Sequence, residues 1–246
     1  MNYIVNNNLA RKAPTYRKEK RYYMSTKSNF DKRKPKGPVK FNIDLNEEQK
    51  IAKGVVYDNT VILLKGAAGS GKTLCAVHIA LDMFFKREIE KIVITRPVVA
   101  AADEIGFLPG DIKQKMDPWL APIYANLYAC YERETIDKMV GEGDIEILPF
   151  AFVRGRTLVN ACVIVDEAQN VTGDQTEMII GRLGKGSKMI FCGDTSQIDL
   201  KHKKESGIDF FKKLEIDVPG VKIFTLKENH RHPIVPLILD SYSQYR

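Results

Sequence analysis

An eight-residue, glycine-rich loop provides chemistry for binding phosphate groups. Residues 66–73 read GAAGSGKT, a match to G-x-x-x-x-G-K-[ST], and they directly follow the apolar run Thr60–Leu64. In such loops the backbone N–H groups close around a triphosphate, the lysine reaches the β and γ oxygens, and the hydroxyl ligates Mg²⁺. The loop therefore predicts a nucleotide site in preference to a glycine-rich turn that binds nothing. The predicted nucleotide-binding residues are Gly66, Ala67, Ala68, Gly69, Ser70, Gly71, Lys72, Thr73 and Leu74.

A pair of carboxylates follows a second apolar run. Val163–Val165 leads into Asp166 and Glu167, about a hundred residues after the loop. Asp166 can hold Mg²⁺ together with Thr73, and Glu167 can orient or deprotonate an attacking water. Alone, the pair could be a solvated strand end, but after a phosphate loop it predicts a Walker B motif. The pair favours hydrolysis, since a kinase would also need a pocket for its acceptor substrate, and the sequence marks none.

A third strand-like run ends in small and polar residues. Lys188–Cys192 leads into the sequence GDTSQ at residues 193–197. Such a turn can be purely structural, but here it can place the Gln197 amide beside a γ-phosphate. Gln197 therefore joins Lys72, Asp166 and Glu167 as a candidate catalytic residue.

Alternating elements place these sites at one edge of a sheet. Besides the first run, we predict strands at Ile92–Thr95, Ile145–Leu148, Val163–Val165, Met189–Cys192 and Ile223–Leu226. We predict helices at Leu74–Phe85, Asp111–Tyr131, Gln175–Leu183, Gly207–Leu214 and Val235–Tyr242, and a further helix after an N-cap at Asn46. Alternation of this kind predicts an α/β protein with a mainly parallel sheet covered by helices on both faces.

Composition limits the class of protein. The 246 residues are 44% hydrophobic, enough for one large core, which we place at residues 44–246. No run approaches the roughly 20 apolar residues that span a bilayer, so we expect no membrane association and a cytoplasmic location, in a bacterium or in the host of a virus. Four cysteines lie far apart, three of them in apolar stretches, and are expected to be reduced core residues.

The positive charge lies in a tail at residues 1–43. Residues 1–40 contain 12 Lys and Arg against 2 acidic residues, a net charge of +10, whereas the whole chain carries +7. This segment lacks apolar periodicity, so we expect it to be disordered when free. Basic residues interleaved with tyrosines suit single-stranded nucleic acid. A solvated tail that aids solubility and an organellar transit segment are the alternatives.

The blocks GSGKT, DEAQ and GDTSQ, in this order, resemble the superfamily 1 helicase core and, more closely, the PhoH family of P-loop ATPases. The resemblance extends through TRPVV, EIGFLPGDIKQKMDPWLAPIY, RGRTL and RHP, and so covers about residues 45–245. It implies a single RecA-like domain that hydrolyses ATP with Mg²⁺ and acts on RNA or single-stranded DNA.

The resemblance also implies roles for single residues. Gln49 is similar to the glutamine that reads the adenine edge, the alternative being an exposed surface glutamine. Thr95, Arg96 and Pro97 lie at the position of motif Ia of the superfamily 1 helicases, where a strand end faces the nucleic acid. Arg231 is similar to the arginine that contacts the γ-phosphate, and His230 replaces the tyrosine that stacks on adenine. Arg154 and Arg156 are alternative arginine fingers or nucleic-acid contacts, or members of surface ion pairs.

The resemblance leaves assembly and activity open. About 15 residues follow Arg231, so we expect no second RecA-like lobe, and only about 44 precede the core, too few for a nuclease domain. We expect a homo-oligomer, with a hexameric ring as one form. The arginine finger would then come from a neighbouring subunit or from the folded-back C-terminal segment. The alternatives are an oligomeric helicase, a non-catalytic nucleotide-gated binding module and an ATP-dependent nuclease.

Overall fold

In the described part of the chain, six strands form one sheet in which every neighbouring pair is parallel. The computed structural model describes residues 39–97, 112–195, 197–198 and 206–244, so most of the basic tail and residues 98–111 lie outside it. The strands are β1 (Val61–Gly66), β2 (Lys91–Arg96), β3 (Ile145–Pro149), β4 (Ala161–Val165), β5 (Lys188–Gly193) and β6 (Val221–Leu226). Their order is β3-β2-β4-β5-β1-β6. The parallel sheet confirms the predicted α/β class.

Helices follow or precede each strand. They are α1 (Glu47–Asp58), α2 (Lys72–Phe85), α3 (Ile112–Cys130), α4 (Arg133–Glu142), α5 (Gly173–Ile180), α6 (Phe210–Asp217) and α7 (Ile234–Gln244). Helix α4 was not predicted from the sequence, and α5 was predicted to end at Leu183. That helix instead ends at Ile180, because Leu183 forms a bridge with Leu158. The helix predicted from Gly207 begins as a short 3₁₀ turn and continues as α6 to Asp217.

Alternating side chains of each strand supply two hydrophobic cores, one on each face of the sheet. In β1, Ile62 and Leu64 face the core that α1, α2 and α3 cover. Leu63 faces the opposite core, where Phe211 of α6 is buried. This period of two is what a sheet covered on both faces requires. Because the sheet is parallel, the carboxyl ends of all six strands lie along one edge.

Two polar devices fix α1 beside the sheet. At its start, Asn46 accepts a hydrogen bond from the Gln49 backbone N–H at 2.7 Å, and the Gln49 side chain accepts one from the Asn46 backbone N–H at 3.2 Å, which confirms the predicted N-cap. At its end, the Lys188 ammonium donates to the carbonyls of Val56, Tyr57 and Asn59. These bonds satisfy carbonyls that have no partner within the helix.

The helix after the phosphate loop, α2, is buried along most of its length, from Cys75 to Met83. Its one buried carboxylate, Asp82, accepts hydrogen bonds from Lys53, Lys86 and Tyr57 at 2.7 to 2.8 Å. Burial alone would raise the pKa of Asp82, but these three donors lower it below its ordinary value. The network ties α2 to α1.

The four cysteines are buried and free, and burial raises the pKa of Cys75, Cys130 and Cys162 to about 12. Their predicted place in the core is confirmed. No helix among the described residues combines the length and apolar character needed to cross a bilayer. All described residues belong to one compact unit, Lys34–Arg246, and the predicted boundary at residue 44 stays a prediction.

Candidate nucleotide site

The phosphate loop connects the carboxyl end of β1 to the amino end of α2. Gly69 and Gly71 have φ angles of +88° and +77°, in the left-handed region that favours glycine. Gly71 is the N-cap of α2 and provides no side-chain cap. The first N–H groups of the helix are therefore available to an anion, and the helix dipole adds positive potential there.

Lys72 lies across the loop. Its ammonium donates to the carbonyl oxygens of Gly66 at 2.7 Å and Ala67 at 2.9 Å. These two bonds hold the amine above the loop rather than extended into solvent. An ammonium group in this position is suited to phosphate oxygens that the loop N–H groups also bind.

The predicted metal-binding residues meet directly. The Thr73 hydroxyl donates to Asp166 Oδ1 at 2.7 Å, which joins the start of α2 to the end of β4. Asp166 is only 5% exposed, and burial raises its pKa, although the Thr73 hydrogen bond acts in the opposite direction. A hydroxyl and a carboxylate oxygen are ligands that Mg²⁺ prefers, and a cation would stabilise the buried carboxylate. These residues fit Mg²⁺.

Glu167 is held on two sides. It has a left-handed φ of +51°, which turns the chain directly after β4. One carboxylate oxygen lies 3.3 Å from the guanidinium of Arg96 at the end of β2, and the other accepts a hydrogen bond from Gln169 at 2.6 Å. Its orientation is therefore set by the neighbouring strand and by the turn that follows it.

Gln169, the last residue of the DEAQ block, contacts Glu167 and the turn after β5, and no role was predicted for it from the sequence. It is 1% exposed. Its Nε2 donates to Glu167, its Oε1 accepts from the Asp194 N–H at 3.0 Å, and its carbonyl accepts from Ser206 at 2.7 Å. The amide thus joins the turn after β4 to the turn after β5. An amide two residues after an acidic pair was the only sequence signal for this role.

Arg231 reaches the site from its own chain. The Glu48 carboxylate accepts hydrogen bonds from the backbone N–H groups of Lys227 and Glu228, and the His230 N–H donates to the Gly69 carbonyl at 3.0 Å. These bonds dock the segment after β6 on the phosphate loop. A Cβ atom on Gly69 would lie 2.6 Å from Arg231 Cγ, so the close approach requires glycine. The folded-back C-terminal segment thus places Arg231 against the phosphate loop, and its role as the arginine finger stays a prediction.

One cavity of about 260 Å³ is lined by all the residues predicted to be catalytic or to bind the metal. Lys72, Thr73, Asp166, Glu167, Gln197 and Arg231 all line it. Asn126 of α3 also lines it and was not predicted. The Gln197 backbone N–H donates to the Asp194 carbonyl at 3.1 Å, but no described contact assigns its side-chain amide to a phosphate, so that role stays a prediction.

A sequence model of the family described as PhoH-like protein matches residues 43–243. The chain belongs to the PhoH family. The PhoH-like protein of Synechocystis sp. is 45% identical over 191 residues, which are 77% of this chain and 58% of that relative. The PhoH-like protein of Bacillus subtilis is 43% identical over 188 residues, 76% of this chain and 59% of that relative. The chain thus spans less than two thirds of the length of these relatives.

The fold is also similar to that of a solved bacteriophage protein. The large terminase from a thermophilic bacteriophage has a TM-score of 0.52 at 11% identity, over 83% of this chain and 51% of the terminase chain. At this identity the likeness shows a shared fold alone. Together with the family match, it supports a PhoH-family, RecA-like, P-loop nucleotide-binding domain.

Gln49 lies behind the phosphate loop of this PhoH-family site. It is 4% exposed, so the alternative of an exposed surface glutamine is wrong. Its Nε2 lies 2.8 Å from where a Cβ on Gly71 would be, and the His230 ring is close to the same point. His230 Nε2 is also 3.4 Å from the Asn46 amide. Gln49 and His230 are thus neighbours beside the loop, and their contact with adenine stays a prediction.

The arginines proposed for nucleic acid have different surroundings. Arg156 pairs with Glu146 at 2.7 Å, as the surface ion-pair alternative predicted, whereas Arg154 is exposed and has no ion pair among the described residues. Neither lines the cavity, so Arg231 is the best placed of the three as an arginine finger. Thr95 and Pro97 are buried, which leaves Arg96 as the accessible member of that group.

Proposed function

We propose that this PhoH-family domain hydrolyses ATP with Mg²⁺ in the cytoplasm and couples turnover to RNA or single-stranded DNA. The hydrogen bond between Thr73 and Asp166, with Glu167 as the next residue in the same cavity, is the observation that carries the hydrolytic part. It joins the two motifs that a P-loop ATPase uses to bind a metal–triphosphate and to activate water.

Each residue contributes a separate step. The loop N–H groups and Lys72 bind the phosphates, and Thr73 and Asp166 hold Mg²⁺, which neutralises charge on the β and γ oxygens when bound. Glu167 orients the attacking water and accepts its proton as the new P–O bond forms and the bond to ADP breaks. Arg231, beside Gly69, stabilises the charge that develops on the γ-phosphoryl group.

Two substitutions test this assignment. Lys72→Ala should abolish turnover because the phosphates lose their cation, whereas Glu167→Gln should still bind ATP but no longer hydrolyse it. Glu134→Gln, on the exposed side of α4, is the matched control and should behave as wild type. Phosphate release and fluorescent-nucleotide binding measure the two properties. Turnover by Glu167→Gln at the wild-type rate would refute the role of Glu167. Binding without turnover in the wild type would instead indicate a nucleotide-gated binding module.

Coupling to nucleic acid is supported by charge and by the family resemblance. The net charge of +10 on residues 1–40 favours a polyanion. On the folded domain, the exposed guanidinium of Arg154 has no ion pair among the described residues. We expect single-stranded RNA or DNA to change the rate of ATP turnover. The test is phosphate release with and without oligonucleotides at low salt, and identical rates would leave turnover uncoupled.

Self-association is supported by α7. Its side chains Ile234, Leu237, Ile238 and Tyr242 are 46 to 69% exposed, an apolar helix face that a second copy could cover. We propose a homo-oligomer on this basis, with a hexameric ring as one candidate. Light scattering of wild type and Leu237→Glu tests it, since a monomer at working concentrations in both would refute the proposal.

A further inference from the structure

A short turn after the edge strand β3 holds an aromatic ring in solvent. In the 3₁₀ turn Phe150–Val153, the first and last residues are buried at 6% and 0% exposure, whereas Phe152 is 67% exposed. The buried pair anchors the turn in the core that also contains β4 and β5. A single exposed apolar residue is ordinary on a protein surface. Phe152 differs from such a residue because it lies at the sheet edge that carries the nucleotide site and close in sequence to the exposed Arg154.

Arg154, two residues later, is an exposed cation without a partner among the described residues. Arg156 belongs to the same loop but is committed to Glu146, which also pairs with Lys91. That pairing lowers the pKa of Glu146, chiefly through the hydrogen bond from Arg156. The loop therefore contains one arginine with a structural role, Arg156, and one that is available to a phosphate group, Arg154.

The turn lies at the same sheet edge as the nucleotide site. Pro149, the residue before it, pairs in register with Arg96 at the end of β2. The Arg96 guanidinium in turn contacts Glu167 at 3.3 Å. A ligand that crosses the carboxyl ends of β3 and β2 would thus reach the arginine that holds the water-activating carboxylate.

We propose that Phe152 and Arg154 form a binding site for one nucleotide of a single-stranded nucleic acid. The base stacks on the Phe152 ring, and its phosphate pairs with the Arg154 guanidinium. Only an unpaired base exposes a face to such a ring, whereas the bases of a duplex are covered by their neighbours. The class of ligand rests on the proposed function, but its binding requires no ATP turnover.

Fluorescence anisotropy with a labelled oligouridylate and a labelled oligothymidylate of about 12 nucleotides tests the site on the full chain. Stacking of one base on an aromatic residue corresponds to a loss of about 5- to 150-fold in affinity for Phe152→Ala. Phe152→Tyr should restore wild-type affinity, because it keeps a ring. Phe210→Ala removes an exposed aromatic side chain, 45% exposed, from α6 and should leave binding unchanged.

Salt dependence separates the two halves of the site. Arg154→Ala should lower the slope of log K against log salt by about 0.7, as expected for one released counterion on a single strand. Phe152→Ala should weaken binding at every salt concentration without changing the slope. An oligonucleotide with abasic positions should bind wild type and Phe152→Ala equally. Arg156→Ala, which removes the arginine of the ion pair, should leave the slope unchanged.

The outcomes separate this proposal from that of ATP hydrolysis. Wild-type affinity of Phe152→Ala overturns the stacking site, even if ATP is hydrolysed. Absence of ATP turnover together with the expected binding pattern supports the site and refutes the hydrolytic function. A changed oligomeric state of Phe152→Ala, with unchanged oligonucleotide binding, would make the turn a protein contact and overturn the proposal. Because the ring is exposed, thermal melts should show all variants folded.

Discussion

Replacing Gln169 by leucine should reduce ATP turnover without preventing nucleotide binding. The orientation of its amide follows from its partners: the Glu167 carboxylate can only accept and the Asp194 N–H can only donate, so Nε2 faces the first and Oε1 the second. Leucine has a similar volume but can form neither hydrogen bond. The substitution therefore removes two polar contacts without leaving a large cavity.

The expected magnitudes come from these two contacts. A hydrogen bond to a charged group contributes about 1.5 to 3 kcal/mol, and the buried Asp194 N–H left without its acceptor costs about 1 to 3 kcal/mol. We expect the free energy of unfolding to fall by about 3 kcal/mol. Without the 2.6 Å bond, Glu167 keeps only its contact with Arg96, and a displacement of about 1 Å costs about 100-fold in rate. KM should change little, since Gln169 does not line the cavity.

Steady-state phosphate release and thermal unfolding measure the two effects on the same preparation. Gln175→Leu is the matched control: Gln175 is exposed and caps α5 in a hydrogen-bonded pair with Thr172. That variant should lose about 1 kcal/mol of stability and keep the wild-type kcat. If Gln169→Leu turns over ATP at nearly the wild-type rate, Glu167 does not depend on Gln169, and the positioning role is wrong.

Three further predictions concern other parts of the molecule. Arg231→Ala should lower kcat by about 10³- to 10⁵-fold with a small change in nucleotide affinity, and the specific activity of wild type should not depend on protein concentration if the arginine acts within its own chain. A loss below about tenfold, measured by phosphate release, would refute the arginine-finger role of Arg231. Asp82→Asn should lower the free energy of unfolding by about 2 to 3 kcal/mol at pH 7. Because the folded pKa of Asp82 is lowered, the stability that its carboxylate contributes is present above the unfolded pKa of about 3.9 and is lost as the pH falls through the folded pKa. Denaturant titrations should therefore show a smaller difference between the two proteins at about pH 2 to 3 than at pH 7. Deleting residues 1–40 should lower the slope of log K against log salt for single-strand binding by about 3.5 if the tail engages five phosphates. ATP turnover in the absence of nucleic acid should be nearly unchanged, and equal slopes for the full-length and truncated proteins would make the tail a solubility element.

Local patterns were sufficient to predict most of the elements that carry the site. Runs of β-branched and apolar residues located all six strands to within two residues at each end, and the Asn46 capping pattern located the start of α1. These signals are local because the four inner strands β1, β2, β4 and β5 are buried on both faces, so their own residues form continuous apolar runs, and because each cap satisfies donors of its own helix. The sequence signal for the phosphate loop is also local, since the φ angles at Gly69 and Gly71 favour glycine at those positions.

Features that depend on tertiary contacts could not be read from the sequence. Helix α4 buries only Ile136 and Met139, so its apolar signal is weak and it was missed. The role of Gln169 depends on Asp194, 25 residues away, and the loop arginines could not be told apart until Glu146 was seen to hold Arg156. For Gln169 and for the loop arginines, the deciding partner lies on a different element, which a local pattern does not specify.

The position of Arg231 bears on whether an oligomer would be needed to supply the arginine finger. The 227–231 segment is tied to Glu48 at the start of α1 and to Gly69 in the phosphate loop, so the arginine is held at the site by backbone hydrogen bonds of its own chain. In the proposed mechanism, the chain's own Arg231 already lies beside the phosphate loop without a neighbouring subunit. Association through the exposed face of α7 would instead act on the segment that leads directly from Arg231 into that helix. Self-association would then adjust the position of the arginine, rather than supply it.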